Sequence, residues 1–162
     1  MSDRAMLSPE SLGRIDREVA KYPAGQKQSA VMSALIVAQD EKGWLSTETM
    51  DYVAQVLGMA PVAVYEVASF YTMYNLQPTG THKLTICTCL PCGLQGSLEA
   101  ADYLKKKLGI GFGETTPDGW FSLKESECMG ACAMAPVVLV NNKKMHDYMS
   151  SEKLDQLLKE LK

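Results

Sequence analysis

The chain has 162 residues, 46% of them hydrophobic and 22% charged, enough for one ordinary domain or two small ones. Its net charge of -3, without a basic stripe, argues against a nucleic-acid partner. No run approaches the roughly 18 apolar residues of a membrane span, and residues 1–7 are too short for a targeting peptide, so direct membrane insertion is not expected.

From Ser8 to Tyr74 the hydrophobic period is helical. Ser8-Pro9 is a start signal, Leu12, Ile15 and Val19 follow on one face, and Tyr22-Pro23 stops the helix. Val31, Leu35 and Ala38 mark a second helix, closed by Gly43. Ser46 opens a third through Met50, Val53 and Leu57 to Gly58, and Pro61 begins a fourth through Val64, Val67 and Tyr71. This predicts a four-helix bundle over residues 1–78, with no chemistry of its own and a role in folding or docking. Phe70, Tyr71, Met73 and Tyr74 are expected mostly in core or inter-domain packing. Asn75-Leu-Gln-Pro-Thr-Gly80 is a connector and marks the domain boundary.

Beyond the connector the order is mixed. Lys83 to Cys87 alternates as a short strand, and Leu94, Leu98, Ala101, Leu104 and Leu108 read as one face of a helix that ends at Lys105–Lys107 and Gly109. Pro117-Asp-Gly119 turns into a strand over Trp120–Leu123. Val137–Val140 enters a tight turn at Asn141-Asn142, and Leu154, Leu157, Leu158 and Leu161 give a closing amphipathic helix. Residues 79–162 are therefore expected as a small α/β sandwich of thioredoxin-like order, and the whole chain as α+β. Repeats and low-complexity segments are absent.

The chemistry lies in cysteines. Cys87 and Cys92 form a C-x4-C pair, Cys128 and Cys132 a C-x3-C pair, each on a strand-end loop. Cys89-Leu-Pro-Cys92 also reads as a C-x-P-C redox dithiol, which would leave the other three cysteines without a task. Disulfide stapling fits poorly, because the number is odd and nothing before Cys87 is a cysteine. Buried structural cysteine, four-cysteine zinc and an iron-sulfur cluster all remain, and spacing alone does not separate iron from zinc. An iron-sulfur cluster held by thiolates is anionic and needs N–H donors near its sulfurs. Gly93 and Gly130 beside the cysteines, and a helix starting after Cys92, suit that demand. The spacing matches neither the plant-type nor the cubane ferredoxin run.

Little else competes. Gly109-Ile-Gly-Phe-Gly113 follows a helix, not a strand, and so is a cap and loop, not a dinucleotide-binding turn. Paired carboxylates and Ser-His arrangements are missing, and His82 and His146 are expected at the surface. Free thiols fit a reducing compartment, which places the chain in the cytoplasm or an equivalent space.

Five segments carry a resemblance: Gly43-Trp-Leu45, Glu66-Val-Ala-Ser-Phe-Tyr-Thr-Met-Tyr74, Cys87 to Cys92, Gly113-Glu-Thr-Thr-Pro-Asp118, and Glu127-Cys-Met-Gly-Ala-Cys132 before Ala135-Pro136. With these the chain resembles, over nearly its whole length, the thioredoxin-like [2Fe-2S] subunits of respiratory complex I, the NADH:quinone oxidoreductase, called the E subunit in bacteria. The resemblance implies one [2Fe-2S] cluster held by Cys87, Cys92, Cys128 and Cys132. It also implies an electron-carrier subunit that is not itself a dehydrogenase and exchanges single electrons with the FMN of an adjacent NADH-binding flavoprotein subunit. Such a chain would sit among other peripheral-arm subunits, attached to the inner membrane only through the complex. Soluble diaphorase modules of NAD-linked hydrogenases and formate dehydrogenases use similar subunits. Cys89 departs from the family pattern and is expected to be a bystander. Pro136 resembles the thioredoxin cis-proline, although base rates for an X-Pro bond favour trans.

Overall fold

Among the described residues of the first half of the chain there are four α-helices, and most of their ends coincide with a cap written in the sequence. In α1 (Pro9–Val19) the Ser8 hydroxyl accepts the Ser11 amide at 3.2 Å, and in α3 (Thr47–Leu57) Ser46 does the same for Thr49 at 3.2 Å. Gly43 closes α2 (Val31–Lys42) and Gly58 closes α3, at φ 82° and 68°, a region where a side chain would be strained. Pro61 is the first residue of α4 (Pro61–Phe70). Two details differ from the sequence reading. Helix α1 stops at Val19, because Lys21 and Tyr22 bond back to Glu18 and Val19 and tighten the chain before Pro23 is reached. A 3-10 turn, Lys27–Ala30, then leads into α2.

The computed structural model describes residues 7–162, and they divide into two units between Pro78 and Thr79. In the first unit Ile15, Leu35, Val53 and Val64, one from each helix, are wholly buried. Each contributes about 1.5–3 kcal/mol of burial, which holds helices too short to persist alone. The aromatic segment after α4 splits. Tyr74 is buried and donates its hydroxyl to the Met32 carbonyl at 3.0 Å, while Gln39 of α2 binds the Met73 carbonyl and the Asn75 amide. Phe70, by contrast, is 78% exposed.

Glu41 of α2 ties down the start of α1. Its carboxylate accepts the Ser8 amide at 3.0 Å and the Ser8 hydroxyl at 2.9 Å. Burial raises its pKa, but hydrogen bonds from Ser11, Ser8 and Lys42 outweigh that and hold it at about 2 instead of 4.5. A depressed carboxylate stabilises the fold above its unfolded pKa and loses that contribution as pH falls through its folded value. Glu41→Gln is therefore expected to cost about 1–2 kcal/mol near neutral pH. In urea titrations the gap between wild type and variant should close from pH 4.5 down towards 2; a gap independent of pH would contradict the assignment.

The second unit is built on a four-stranded sheet in the order β2-β1-β3-β4. Strand β1 (His82–Cys87) runs parallel to β2 (Phe121–Ser126) and antiparallel to β3 (Val138–Val140), which pairs with β4 (Lys144–His146). A hairpin turn at Asn141 and Asn142, both at positive φ, joins the last two. The crossover from β1 to β2 contains α5 (Leu90–Gly93) and α6 (Ser97–Leu108), and α7 (Ser151–Glu160) closes the chain. Leu84, Ile86, Leu104, Phe121, Leu123 and Leu154 form the core, and the Trp120 indole donates to the Leu161 carbonyl at 2.8 Å.

Three expectations for this half are corrected. Strand β1 does not alternate: Lys83 and Thr85 are buried as well as Leu84 and Ile86. The apolar stripe of α6 does not begin at Leu94, because Gly96, at φ 91°, breaks the helix there. The buried face is Ala100, Ala101 and Leu104, with Leu94 and Leu98 exposed. His82 and His146 are half-buried, and the His82 ring packs against Trp120 with centroids 5.6 Å apart.

Gly80 shows where backbone alone fits. A Cβ there would lie 2.9 Å from the Phe121 carbonyl carbon and 3.1 Å from the Gly119 oxygen, and the Gly80 amide donates to Ser122 Oγ at 2.6 Å. Gly80→Ala is expected to push the start of β1 off β2 and to cost about 1–3 kcal/mol, read as a lowered urea midpoint. An unchanged midpoint would show that the segment moves freely. Among the described residues, no single helix is long and apolar enough to cross a membrane.

Candidate metal centre

Parallel pairing brings the cysteine loops together. Cys87, the last residue of β1, is in register with Ser126, the last of β2, so the chain leaves both strands at the same edge of the sheet. Strand β3 runs the other way and begins at Val138 opposite Ile86, so the segment that feeds it arrives at that edge too. Thr88 donates to the Ser126 carbonyl at 3.2 Å, locking the first loop to the second. Cys92 lies in α5, whose Gly93 amide bonds back to the Cys89 carbonyl at 2.8 Å. Cys132 opens a 3-10 turn, Cys132–Met134, and the Ala135-Pro136 bond beyond it is cis.

Burial of the five thiols is graded. Cys87 and Cys92 are buried, Cys89 and Cys132 half-buried, and Cys128 exposed; all are free. Ala131, Ala135, Val137 and Met129 pack with the inner sulfurs into a small apolar cluster of their own. Burial raises the Cys87 pKa, but the amides of Cys89 and Met129 and the thiols of Cys92 and Cys89 hydrogen-bond to its sulfur and bring the balance below the ordinary thiol value. Cys92 is pushed up to about 12 by burial and then by Cys87 and Cys132, its direct neighbours. The inner sulfurs thus belong to one site. Cys128 Sγ accepts the Gly130 amide at 3.4 Å.

These contacts supply what an anionic sulfur centre requires. Amides of Cys89, Met129 and Gly130 reach two of the thiols, and Met129 crosses from the second loop to a cysteine of the first. Among the described residues, no group of three or more His, Cys, Asp or Glu side chains surrounds a single ion position. A dinuclear cluster asks for two thiolates on each iron, and the two pairs on facing loops, with N–H donors beside them, fit that requirement. Gly130 is needed for its backbone, at φ 71°, and not for lack of bulk, since a Cβ there would meet nothing within 4 Å. A further correction concerns helix position: the segment at Cys92 is a single turn, and the long helix begins only at Ser97.

Sequence reasoning missed two participants. Glu127 accepts the Cys89 thiol at 3.6 Å, and Glu125 accepts the Thr88 hydroxyl at 2.7 Å. Only the pairing of β1 with β2 brings these residues face to face, and no local spacing announces it. The Met129 amide belongs to the same class.

The chain matches the family described as thioredoxin-like [2Fe-2S] ferredoxin over residues 15–162. It is 44% identical over 152 residues to the "NADH dehydrogenase [ubiquinone] flavoprotein 2, mitochondrial" of Dictyostelium discoideum, covering 93% of this chain and 62% of that protein. It is 40% identical over 161 residues to the E subunit of the NADH-quinone oxidoreductase of Rickettsia felis, covering 99% of this chain and 96% of that protein. It thus spans less than two thirds of the Dictyostelium relative and nearly all of the Rickettsia one. A crystal structure of an NAD+-reducing [NiFe]-hydrogenase in the H2-reduced state shares the fold, with a TM-score of 0.68 at 17% identity over 78% of this chain and 22% of that one. The chain belongs to the thioredoxin-like [2Fe-2S] ferredoxin family, and its cofactor is one [2Fe-2S] cluster.

Proposed function

We propose that the chain is the electron-transfer iron-sulfur subunit of an NADH:quinone oxidoreductase, a carrier with no dehydrogenase site of its own. Cys87, Cys92, Cys128 and Cys132 hold the cluster, and the FMN of an adjacent NADH-binding flavoprotein subunit is its redox partner. The observation that carries this reading is the convergence of two cysteine loops at one sheet edge, with amides of Cys89, Met129 and Gly130 directed at their sulfurs. When bound, such a cluster takes up and returns one electron at a time. The chain's part is to hold the four thiolates, to offset their charge with backbone N–H groups, and to limit water through Ala131, Ala135 and Val137. Residues 1–78 act as a helical bundle that docks partners, and the chain meets the membrane only through other peripheral-arm subunits.

A thiol-disulfide oxidoreductase using Cys89 and Cys92 is the weaker reading. The nucleophile of such an enzyme needs a lowered pKa. Cys89 has the opposite: partial burial, then Cys87 and the Glu127 carboxylate, push it up to about 11. A diaphorase module of an NAD-linked hydrogenase would use the same chemistry, but the relatives at 40–44% identity are named as NADH dehydrogenase and NADH-quinone oxidoreductase subunits. The purified chain should be brown, contain iron and acid-labile sulfide in equal amounts, and give one paramagnetic signal on one-electron reduction. Colourless, EPR-silent protein reconstituted only by zinc would end this reading.

A further inference from the structure

The two cysteine loops are joined by more than the sheet. The paired register of β1 and β2 ends at Cys87 and Ser126, and one further backbone bond, from the Thr88 amide to the Ser126 carbonyl at 3.2 Å, follows it. Beyond that point side chains take over. The Thr88 hydroxyl donates to Glu125 Oε1 at 2.7 Å and the Cys89 thiol to Glu127 Oε2 at 3.6 Å, so the two residues after Cys87 are each tied to a carboxylate of the segment that leads into Cys128. Amides of these loops are spent on sulfur: those of Cys89 and Met129 go to Cys87, and that of Gly130 to Cys128. An N–H aimed at a thiolate cannot also hold a strand ladder, so loops that lend their amides this way need another tie.

Charge alone would not place carboxylates here. A cluster held by thiolates is anionic, and Glu125 and Glu127 stand within three residues of Cys128, where like charge is unfavourable. Their value lies in what they accept. A carboxylate takes a hydrogen bond more strongly than a neutral oxygen does, and these two reach from one loop to the other across 37 and 38 residues of chain.

Resting on the ligands proposed above, we infer that Thr88, Cys89, Glu125 and Glu127 form a side-chain latch that fastens the two cysteine loops to each other and so positions Cys87, Cys128 and the Met129 amide around the cluster. None of the four is itself a ligand. They are positioning residues, acting through the loops they join, and Cys89 serves the site as a hydrogen-bond donor. Because both bonds lie within this one chain, the latch sets how firmly the cluster is kept and how the amides meet its sulfurs before any partner is bound.

The test uses the full-length holoprotein in excess EDTA, with cluster loss followed by visible absorbance and the reduced cluster by EPR. Thr88→Val/Cys89→Ala and Glu125→Ala/Glu127→Ala each break both bonds, one from either side, and Glu66→Ala, an exposed carboxylate of α4, is the control. Each double variant should lose its cluster at least about tenfold faster than wild type and shift its g values, with the control unchanged. The variant with all four substitutions should be no faster than either double, since the bonds are already broken. Rescue separates the latch from bulk or charge: Thr88→Ser/Cys89→Ser keeps the donors and Glu125→Gln/Glu127→Gln keeps acceptors without the charge, and both should stay close to wild type in rate and g values. Wild-type rates in the two breaking variants would overturn the inference. So would glutamines that behave like the alanines, or fourfold substitution whose effect is the product of the two doubles. A Cys128→Ser protein that keeps the wild-type cluster is a different result, and it would take down the ligand reading and the latch with it.

Discussion

Serine at Cys92 or Cys128 is expected to abolish or grossly alter the visible absorbance of the purified protein, whereas Cys89→Ser should leave iron content and spectrum nearly intact. The two ligand variants reach this end from different surroundings. Cys92 is 1% exposed in an apolar cluster, so Cys92→Ser also buries a hydroxyl, at a cost of about 1–3 kcal/mol if it finds no partner. Cys128 is exposed and accepts the Gly130 amide, so its serine variant should fold as wild type and report on ligation alone. Cys89 directs its thiol to Glu127, and a serine hydroxyl can make that same bond. Iron analysis, absorbance and circular dichroism on the three variants decide the matter. Equal loss of iron in the Cys89 variant would overturn the assignment of ligands.

Much of this arrangement is legible in the sequence wherever one residue fixes one local geometry. Ser46 and Gly58 bound α3, Pro61 begins α4, and the paired asparagines at 141 and 142 turn the last hairpin, because each choice satisfies a backbone group or permits a particular φ. Legibility fails where the outcome depends on a neighbour distant in the chain. The leucine period through residues 94–108 looks continuous, yet Gly96 in a left-handed conformation divides it and turns Leu94 and Leu98 outward. The alternation of Lys83 to Cys87 suggests one open face, but both sets of side chains from Lys83 to Cys87 are buried. The cysteine spacing announces a thiolate site. That Met129 lends its amide to Cys87, and Glu127 its carboxylate to Cys89, follows only from which strands pair.

Removal of residues 1–78 is expected to leave a fragment that still binds its cluster but associates much more weakly with the flavin-bearing subunit, by at least about tenfold. The four proposed ligands all lie beyond the division at Pro78 and Thr79, and residues 79–162 have a core of their own in Leu84, Ile86, Leu104, Phe121, Leu123 and Leu154. The cluster should therefore survive the cut. In the helical unit α4 exposes Val62 at 62% and Phe70 at 78%, apolar side chains its own core does not use. Their removal takes away apolar area that a partner can bury. Electron exchange should fall with affinity, since both depend on holding the two cofactors close, even with every ligand untouched. A pull-down and a flavin-to-cluster electron-transfer assay on the fragment measure this, and Val62→Gln/Phe70→Gln in the full chain separates docking from folding. Undiminished binding and rate in the fragment would show that the helical unit is dispensable for docking.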